Sequence, residues 1–435
     1  MSHDTSSGGI RHGGTGHGGG GDGARAGENT RAVGLPTGPA VDERPLRLPV
    51  YRSTTYEFAT SQEYADVLDG ARPGYSYARI DNPTTEAFAY AVAALEGAGV
   101  DGEVRGQAFA SGMAAISTTL LALTAAGAHV VASRSIYGNT YSLLDGLLRR
   151  FGVATDFVDI TDLDAVRAAV RPETAVVFTE TLSNPTMTVS DLPALAGIAH
   201  AAGAALVVDS TFASPAVCRP LEHGADLVLH SGTKYLGGHS DATGGVVVGR
   251  PDTMAAIRSA RVDLGPCLAP DEAFLLHRGL ETLPLRVARQ CATAAEFAAA
   301  VAAHPAVERV DHPALPTHPG HGLAARLFDA GRYGAVVTVT PHGGREAGMA
   351  FADGLRVATI AASLGGTHTL VGHVGSTTHR QMSDDSLQAA GIGPGAVRFS
   401  IGVEDPADLI ADALASLDRC AEQWRPADRP GAAEG

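Results

Sequence analysis

One side chain in this sequence could form a covalent bond through an amine, and it occurs once. The 435-residue chain has a single lysine, Lys234, among its 32 basic residues; the other 31 are arginine. A soluble chain this long ordinarily carries roughly twenty or more lysines. The Ala-, Gly- and Arg-rich composition indicates drift of replaceable lysines to arginine in a GC-rich genome. The lysine that remains then marks a position a guanidinium cannot fill. Arginine keeps its proton, whereas a lysine amine can deprotonate and form a Schiff base with a carbonyl. Lys234 follows the apolar run Leu227 to Leu229 and the hydroxyl residues Ser231 and Thr233, and it precedes Gly237 and Gly238. A second apolar run, from Ala205, ends in Asp209. Short apolar runs of this kind read as buried parallel strands. An amine and a carboxylate are thereby placed at the carboxyl edge of one sheet, where open α/β sheets bind ligands.

Pyridoxal 5'-phosphate needs this set: an amine for its carbonyl, an acid for its pyridinium nitrogen and hydroxyls for its phosphate. Read singly, Asp209 could cap a helix, and Ser231 or Thr233 could shape a turn. Their joint spacing with the lone lysine favours the cofactor. The segments Asp209-Ser-Thr-Phe, His230-Ser-Gly-Thr-Lys-Tyr and Gly238-His-Ser-Asp241 resemble the pyridoxal-phosphate enzymes of cysteine and methionine metabolism, the trans-sulfuration family. That family includes cystathionine γ-synthase, cystathionine γ-lyase, O-acylhomoserine sulfhydrylase and methionine γ-lyase. The resemblance runs from about Thr30 to about Arg425. It implies the type I, aspartate aminotransferase-like fold and a small amino-acid substrate. It also implies a homo-oligomer whose catalytic unit is a dimer within a tetramer.

The resemblance assigns roles residue by residue. Gly112 and Met113, in Ala110-Ser-Gly-Met, would offer backbone N–H groups to the cofactor phosphate at a helix start, which favours anions; as an ordinary helix start, the same motif has Ser111 as its N-cap. Tyr137, in Ile136-Tyr-Gly-Asn, would stack on the pyridine ring and exchange protons with the substrate; a core tyrosine is the plainer reading. Asn184, in Glu180-Thr-Leu-Ser-Asn-Pro, would donate to the cofactor's phenolic oxygen, although Asn-Pro alone is a turn signal. Tyr77 and Arg79, in Tyr75-Ser-Tyr-Ala-Arg-Ile-Asp-Asn-Pro-Thr, would clamp the phosphate of a neighbouring subunit, a task suited to the arginine fork. Arg398, in Val397-Arg-Phe-Ser, would bind the substrate α-carboxylate, and Ser363 would assist through its backbone. Lys234 would hold the cofactor and move the α-proton. No metal is implied.

Substrate choice must come from departures. Members that handle cystathionine carry Glu immediately before the Ser of Ser-Leu-Gly; here that residue is Ala362. A distal amino group would have no partner there. His373 and Ser376-Thr-Thr-His379 also resemble the lyase and sulfhydrylase members. Asn139 stands where methionine γ-lyases have Cys, His368 replaces an acid, and Val374 replaces a Pro. The reading is γ-elimination on a sulfur amino acid, a methionine γ-lyase-like C–S cleavage. The alternative is γ-replacement, by sulfhydrylation of an O-acylhomoserine or by cystathionine-type trans-sulfuration.

The elements that must position these residues follow from the apolar pattern. Seven short runs begin near Gly106, His129, Thr155, Ala175, Leu206, Leu227 and Gly245. With the helices between them they predict a mainly parallel, doubly wound sheet. Near Leu283 an Ala-rich helix, about Pro284 to Ala303, leads to a smaller α+β segment. In that segment strands are predicted at Ala335 to Thr340 and Val397 to Ile401, with helices near Arg345 to Leu355 and Pro406 to Glu422. The expected division is a Gly/His-rich tail over 1–31, an arm over 32–75 that contacts a neighbour, a cofactor domain over 76–283 and a C-terminal domain over 284–435. The tail lacks apolar periodicity and reads as disordered; His3, His12 and His17 could bind metal only adventitiously. It also lacks the apolar core of a signal peptide. A net charge of −15 without a basic cluster argues against nucleic acid. No apolar run has the length of a membrane span. The four scattered cysteines read as reduced residues of a cytoplasmic protein.

Overall fold

The computed structural model describes residues 45–423, except 330, 378, 379, 381, 382 and 390. The tail over 1–31 and His379 lie outside the described residues.

Seven strands form the larger sheet: β1 (Arg105–Phe109), β2 (His129–Ser133), β3 (Ala154–Val158), β4 (Thr174–Glu180), β5 (Ala205–Asp209), β6 (Leu227–Ser231) and β7 (Gly245–Gly249). Their spatial order is β1-β7-β6-β5-β4-β2-β3. The near-continuous Val and Leu runs bury both faces of the sheet. Val176 and Phe178 pack with Ile116 and Leu120 of the helix Gly112–Leu123 on one face. Val177, Val208 and Val228 pack with Phe88 and Val92 of the helix Pro83–Glu96 on the other. Alternation of side chains with a period of two sends successive apolar residues to opposite cores.

The sheet is mainly parallel as expected, and β7 is the exception, antiparallel to both β6 and β1. Its connection from β6 contains no crossover helix, and a parallel return needs one. The helices Pro251–Leu264 and Pro270–Leu280 were not anticipated; each begins with Pro at its first turn, a position that suits the fixed φ and missing N–H.

The helix Leu283–Ala302 leads to a five-stranded sheet. Its strands are β8 (Val307–Asp311), β9 (Val336–Pro341), β10 (Thr359–Ile360), β11 (Leu370–His373) and β12 (Val397–Ser400), in the order β10-β11-β12-β9-β8. Phe297 of that helix and Phe351 of the helix Gly344–Asp353 meet Phe399 of β12, with ring centroids 4.9 and 5.6 Å apart. The aromatic cluster fixes β12, and with it Arg398, against the long helix. β9, β12, the helix Gly344–Asp353 and the last helix, Pro406–Gln423, match the sequence expectation within one or two residues, whereas β8, β10 and β11 were not foreseen.

Candidate active site

The carboxyl ends of β4, β5 and β6 open into a cavity of about 740 Å³. Eleven of the thirteen residues singled out from sequence line it, ten of them being Gly112, Met113, Tyr137, Asn184, Asp209, Ser231, Thr233, Lys234, Ser363 and Arg398. Ala362 lines it too, on the wall that follows β10. Tyr77 and Arg79 do not. Both are exposed; the Arg79 guanidinium carbon lies 5.8 Å from the Tyr77 ring centroid, and Nη1 donates to the Val262 carbonyl at 2.6 Å.

Lys234 is held in a tight turn after β6. Its N–H donates to the Ser231 carbonyl at 3.1 Å, and its own carbonyl accepts from Gly238 N–H at 2.8 Å. Gly238 has φ of +70°, and a Cβ there would collide with the Arg286 guanidinium. Arg286 is buried and ties the turn down by donating to the Tyr235 and Gly279 carbonyls at 3.0 and 2.8 Å. The amine of Lys234 donates to Ser363 Oγ at 2.7 Å. Burial, and then the Arg398 charge, lowers its affinity for a proton.

Asp209 ends β5 and accepts the Thr211 N–H at 2.9 Å, while Thr211 Oγ1 accepts the Ser231 N–H at 2.8 Å. Burial pushes the Asp209 carboxyl upward, against the Thr211 hydrogen bonds and the His230 charge, which pull it down. Glu180 ends β4 directly beside it, in register with Asp209. Sequence reasoning did not select Glu180, although it lines the cavity and Oε1 accepts the Tyr137 N–H at 2.7 Å. Its Oε2 is buried without a hydrogen-bond partner. Burial and the neighbouring Asp209 hold Glu180 well above the usual carboxylate range. The only sequence signal was an acid closing an apolar strand four residues before Asn184.

Tyr137 is exposed to the cavity mouth, and its hydroxyl accepts from Asn139 Nδ2 at 3.2 Å. Arg398 on β12 donates to Asn184 Oδ1 at 3.3 Å and to the Ser363 carbonyl at 3.0 Å, linking the two sheets across the site. Ser363 has φ of +95°, which turns its carbonyl and hydroxyl toward these two cations. His373 is buried away from the cavity and bonded to Ser376 Oγ and the Pro394 carbonyl, both at 2.9 Å; Ser376 itself lines the cavity.

Pyridoxal phosphate fits these residues. Ser111 caps the helix Gly112–Leu123 by accepting from Ala114 N–H at 3.1 Å, which leaves the N–H groups of Gly112 and Met113 without intrahelical acceptors. A Cβ at Gly112 would lie 2.8 Å from Ser231 Cβ, so glycine lets the helix start and the hydroxyl residues form one cradle. The cap reading and the phosphate reading of this motif are therefore compatible.

Residues 32–418 match the family described as Cys/Met metabolism PLP-dependent enzyme. The chain is 40% identical over 368 residues to an O-succinylhomoserine sulfhydrylase of Pseudomonas aeruginosa, covering 85% of this chain and 90% of that protein. It is 40% identical over 377 residues to an L-methionine gamma-lyase of Fusobacterium nucleatum, covering 86% and 94%. A solved structure named as an O-acetylhomoserine (thiol)-lyase of Campylobacter jejuni, carrying a pyridoxyl-lysine monophosphate, superposes with a TM-score of 0.81. It is 32% identical and covers 86% of this chain and 96% of that one. The fold is thus the type I fold of pyridoxal-phosphate enzymes, and the cofactor is pyridoxal phosphate. This chain belongs to the PLP-dependent enzymes of cysteine and methionine metabolism.

Proposed function

We propose that the enzyme cleaves the bond between the γ-carbon and sulfur of a sulfur amino acid, releasing a thiol, a 2-oxo acid and ammonia. Held in the cradle, pyridoxal phosphate would supply a carbonyl for the substrate amine and a ring able to withdraw electrons from the α-carbon. The remaining work falls to the chain. Arg398 holds the α-carboxylate by a charge-assisted fork, and its bonds to Asn184 and the Ser363 carbonyl fix that fork in place. Lys234 takes the proton from the α-carbon; its lowered proton affinity keeps more of the amine in the basic form. Tyr137 gives a proton to the departing sulfur. Asp209 would hold the pyridine nitrogen of the cofactor, and Ser231 and Thr233 would join Gly112 and Met113 in holding its phosphate.

The observation that carries this reading is the meeting of Lys234 and Arg398 at Ser363, in a cavity that Asp209 also lines. Among the described residues the wall at Ala362, Val371 and Val374 presents no acid for a distal ammonium, which favours methionine-like arms over cystathionine. Supplying L-methionine should give equimolar thiol and 2-oxobutyrate. A protein that consumes O-acylhomoserine only when sulfide is present would instead support γ-replacement, the second reading, which the resemblance to the Pseudomonas enzyme favours.

We also infer a homo-oligomer, with the dimer as catalytic unit and a tetramer as the assembly. Tyr77 and Arg79 are exposed and outside their own chain's cavity, as a pair serving a neighbour's phosphate would be. The segment 32–75 then acts as an arm on that neighbour, ahead of a cofactor domain over 76–283 and a C-terminal domain over 284–435. Mixing inactive Arg79→Ala and Lys234→Ala subunits should restore part of the activity; well-exchanged mixtures that stay inactive would sink the shared site. The four cysteines are unpaired, which suits a cytoplasmic setting.

A further inference from the structure

Three basic side chains, Lys234, Arg398 and Arg380, line the cavity among the described residues. Lys234 and Arg398 are engaged with Ser363 and Asn184, and the reading above uses both. Arg380 is left over. It is exposed to the cavity and has no hydrogen bond or ion pair among the described residues. The acid four positions on, Asp384, is committed to Arg345, whose Nε donates to it at 2.9 Å. The cavity's own carboxylates, Glu180 and Asp209, stand at the ends of β4 and β5 and are bonded to the Tyr137 and Thr211 N–H groups.

The position of Arg380 along the wall gives this charge a direction. β11 and β12 pair so that Gly372 stands opposite Arg398. The chain then runs on through Val374, Ser376 and Thr377, all lining the cavity, before it reaches Arg380. Among the described residues, this stretch of chain therefore runs from beside Arg398, past small and apolar residues, to a second cavity-lining cation. A ligand complementary to it has a carboxylate at each end and an uncharged middle. An arginine fork pairs with a carboxylate in two parallel hydrogen bonds, stronger than neutral ones.

We propose that Arg380 is a substrate-binding residue, and that the substrates it selects are γ-substituted α-amino acids whose γ-arm ends in a carboxylate, such as a dicarboxylate monoester of homoserine. This rests on the second reading above, γ-replacement on an O-acylhomoserine, and narrows it, because such an ester breaks at the γ-carbon–oxygen bond and holds no C–S bond. Methionine ends in a methyl and gains nothing from Arg380. Cystathionine brings a carboxylate but also an ammonium that finds no acid at Ala362.

The test uses two amino acids with all-carbon arms, which offer no leaving group at the γ-carbon: L-norleucine, with a neutral end, and L-2-aminosuberate, with a carboxylate end. Their Kd values are measured by calorimetry on the PLP-loaded enzyme and on Arg380→Ala, Arg380→Lys and Arg380→Glu. The wild type should bind aminosuberate more tightly than norleucine. That preference should fall on the order of 10-fold in Arg380→Ala, as loss of a charge-assisted bond requires. Arg380→Lys should keep part of it, and Arg380→Glu should reverse it. A preference for norleucine in the wild type would overturn the proposal. So would a ratio that is the same in wild type, Ala and Glu variants, including the case where both ligands weaken together. Failure of the enzyme to turn over any O-acylhomoserine in the presence of sulfide would refute the γ-replacement reading alone, since the binding ratio reads Arg380 without turnover.

Discussion

The two ends of the cavity are built differently. The end at β4, β5 and β6 comes from the interior of the seven-stranded sheet. Its polar groups are committed: Asp209 to Thr211, Glu180 to Tyr137, Lys234 to Ser363. The distal end comes from the edge of the five-stranded sheet, where β10 is two residues long and Ile360 is exposed. Its wall is made mainly of small and apolar residues, and among the described residues its one cation, Arg380, has no hydrogen bond or ion pair. The difference separates two tasks. A reaction shared by a whole family needs a preorganised, desolvated centre. Selection among substrates needs a wall that can change without disturbing that centre, and a short edge strand with few fixed partners provides one.

The comparison is tested most severely at Lys234. Lys234→Ala should lose on the order of 10⁴-fold or more in kcat, because no other residue of the chain has a side-chain amine to take its place in proton transfer. Borohydride should no longer fix the cofactor to the polypeptide. A trapped adduct at any other residue would show that the committed end has been misplaced. Tyr137→Phe comes next, with an expected loss of about 10²- to 10⁴-fold in kcat from removal of one proton donor. Its cofactor binding should persist, since the ring remains. A loss confined to KM would mean that the hydroxyl only positions substrate.

At the distal end the effects should be smaller and selective. Ala362→Glu introduces a carboxylate into the apolar wall. The ratio of cystathionine to methionine turnover should rise about 10- to 100-fold, because the acid can pair with a distal ammonium and is left unpaired beside a methyl. An unchanged ratio in a variant that still binds PLP would mean that Ala362 does not meet the substrate arm, and the contrast between the two ends would lose its functional content.

The sequence made the committed end legible and the distal end largely not. β2, β4, β5 and β6 are runs of Val, Leu and Phe buried on both faces, so their pattern and their ends could be read directly, and the residues proposed to carry the chemistry sit at those ends. β8 is Val-Glu-Arg-Val-Asp with a half-exposed edge pattern, β10 has two residues, and β11 includes a glycine. Such strands exist through pairing in the sheet, which no local pattern encodes. The antiparallel β7 was hidden for a similar reason, since apolar runs carry no sign of direction. Arg380 was invisible because it gains meaning only from the wall that the β11–β12 register creates. Glu180 was named in a motif and still passed over, because its interest depends on the register that sets it beside Asp209.

That pair gives the smallest effect and the most specific to the committed end. Glu180 is buried, its Oε2 has no hydrogen-bond partner, and Asp209 stands beside it in register. Burial first and Asp209 second raise its pKa well above the ordinary 4.5. The folded state therefore holds the Glu180 proton more tightly than the unfolded chain does. The stability this contributes is fully present below the unfolded value and is lost as pH rises through the raised folded value. Glutamine is close in shape to the protonated acid and can still accept the Tyr137 N–H, but it cannot ionise. In the cofactor-free protein, Glu180→Gln should melt near the wild type at low pH. It should become the more stable of the two as pH rises through the raised value, where the wild type must carry two adjacent buried carboxylates. Thermal melts across that range check the sign. A wild type that gains on the variant with rising pH would mean that Glu180 is held ionised by a partner in the fold, and that the committed end contains a cation beyond Lys234 and Arg398.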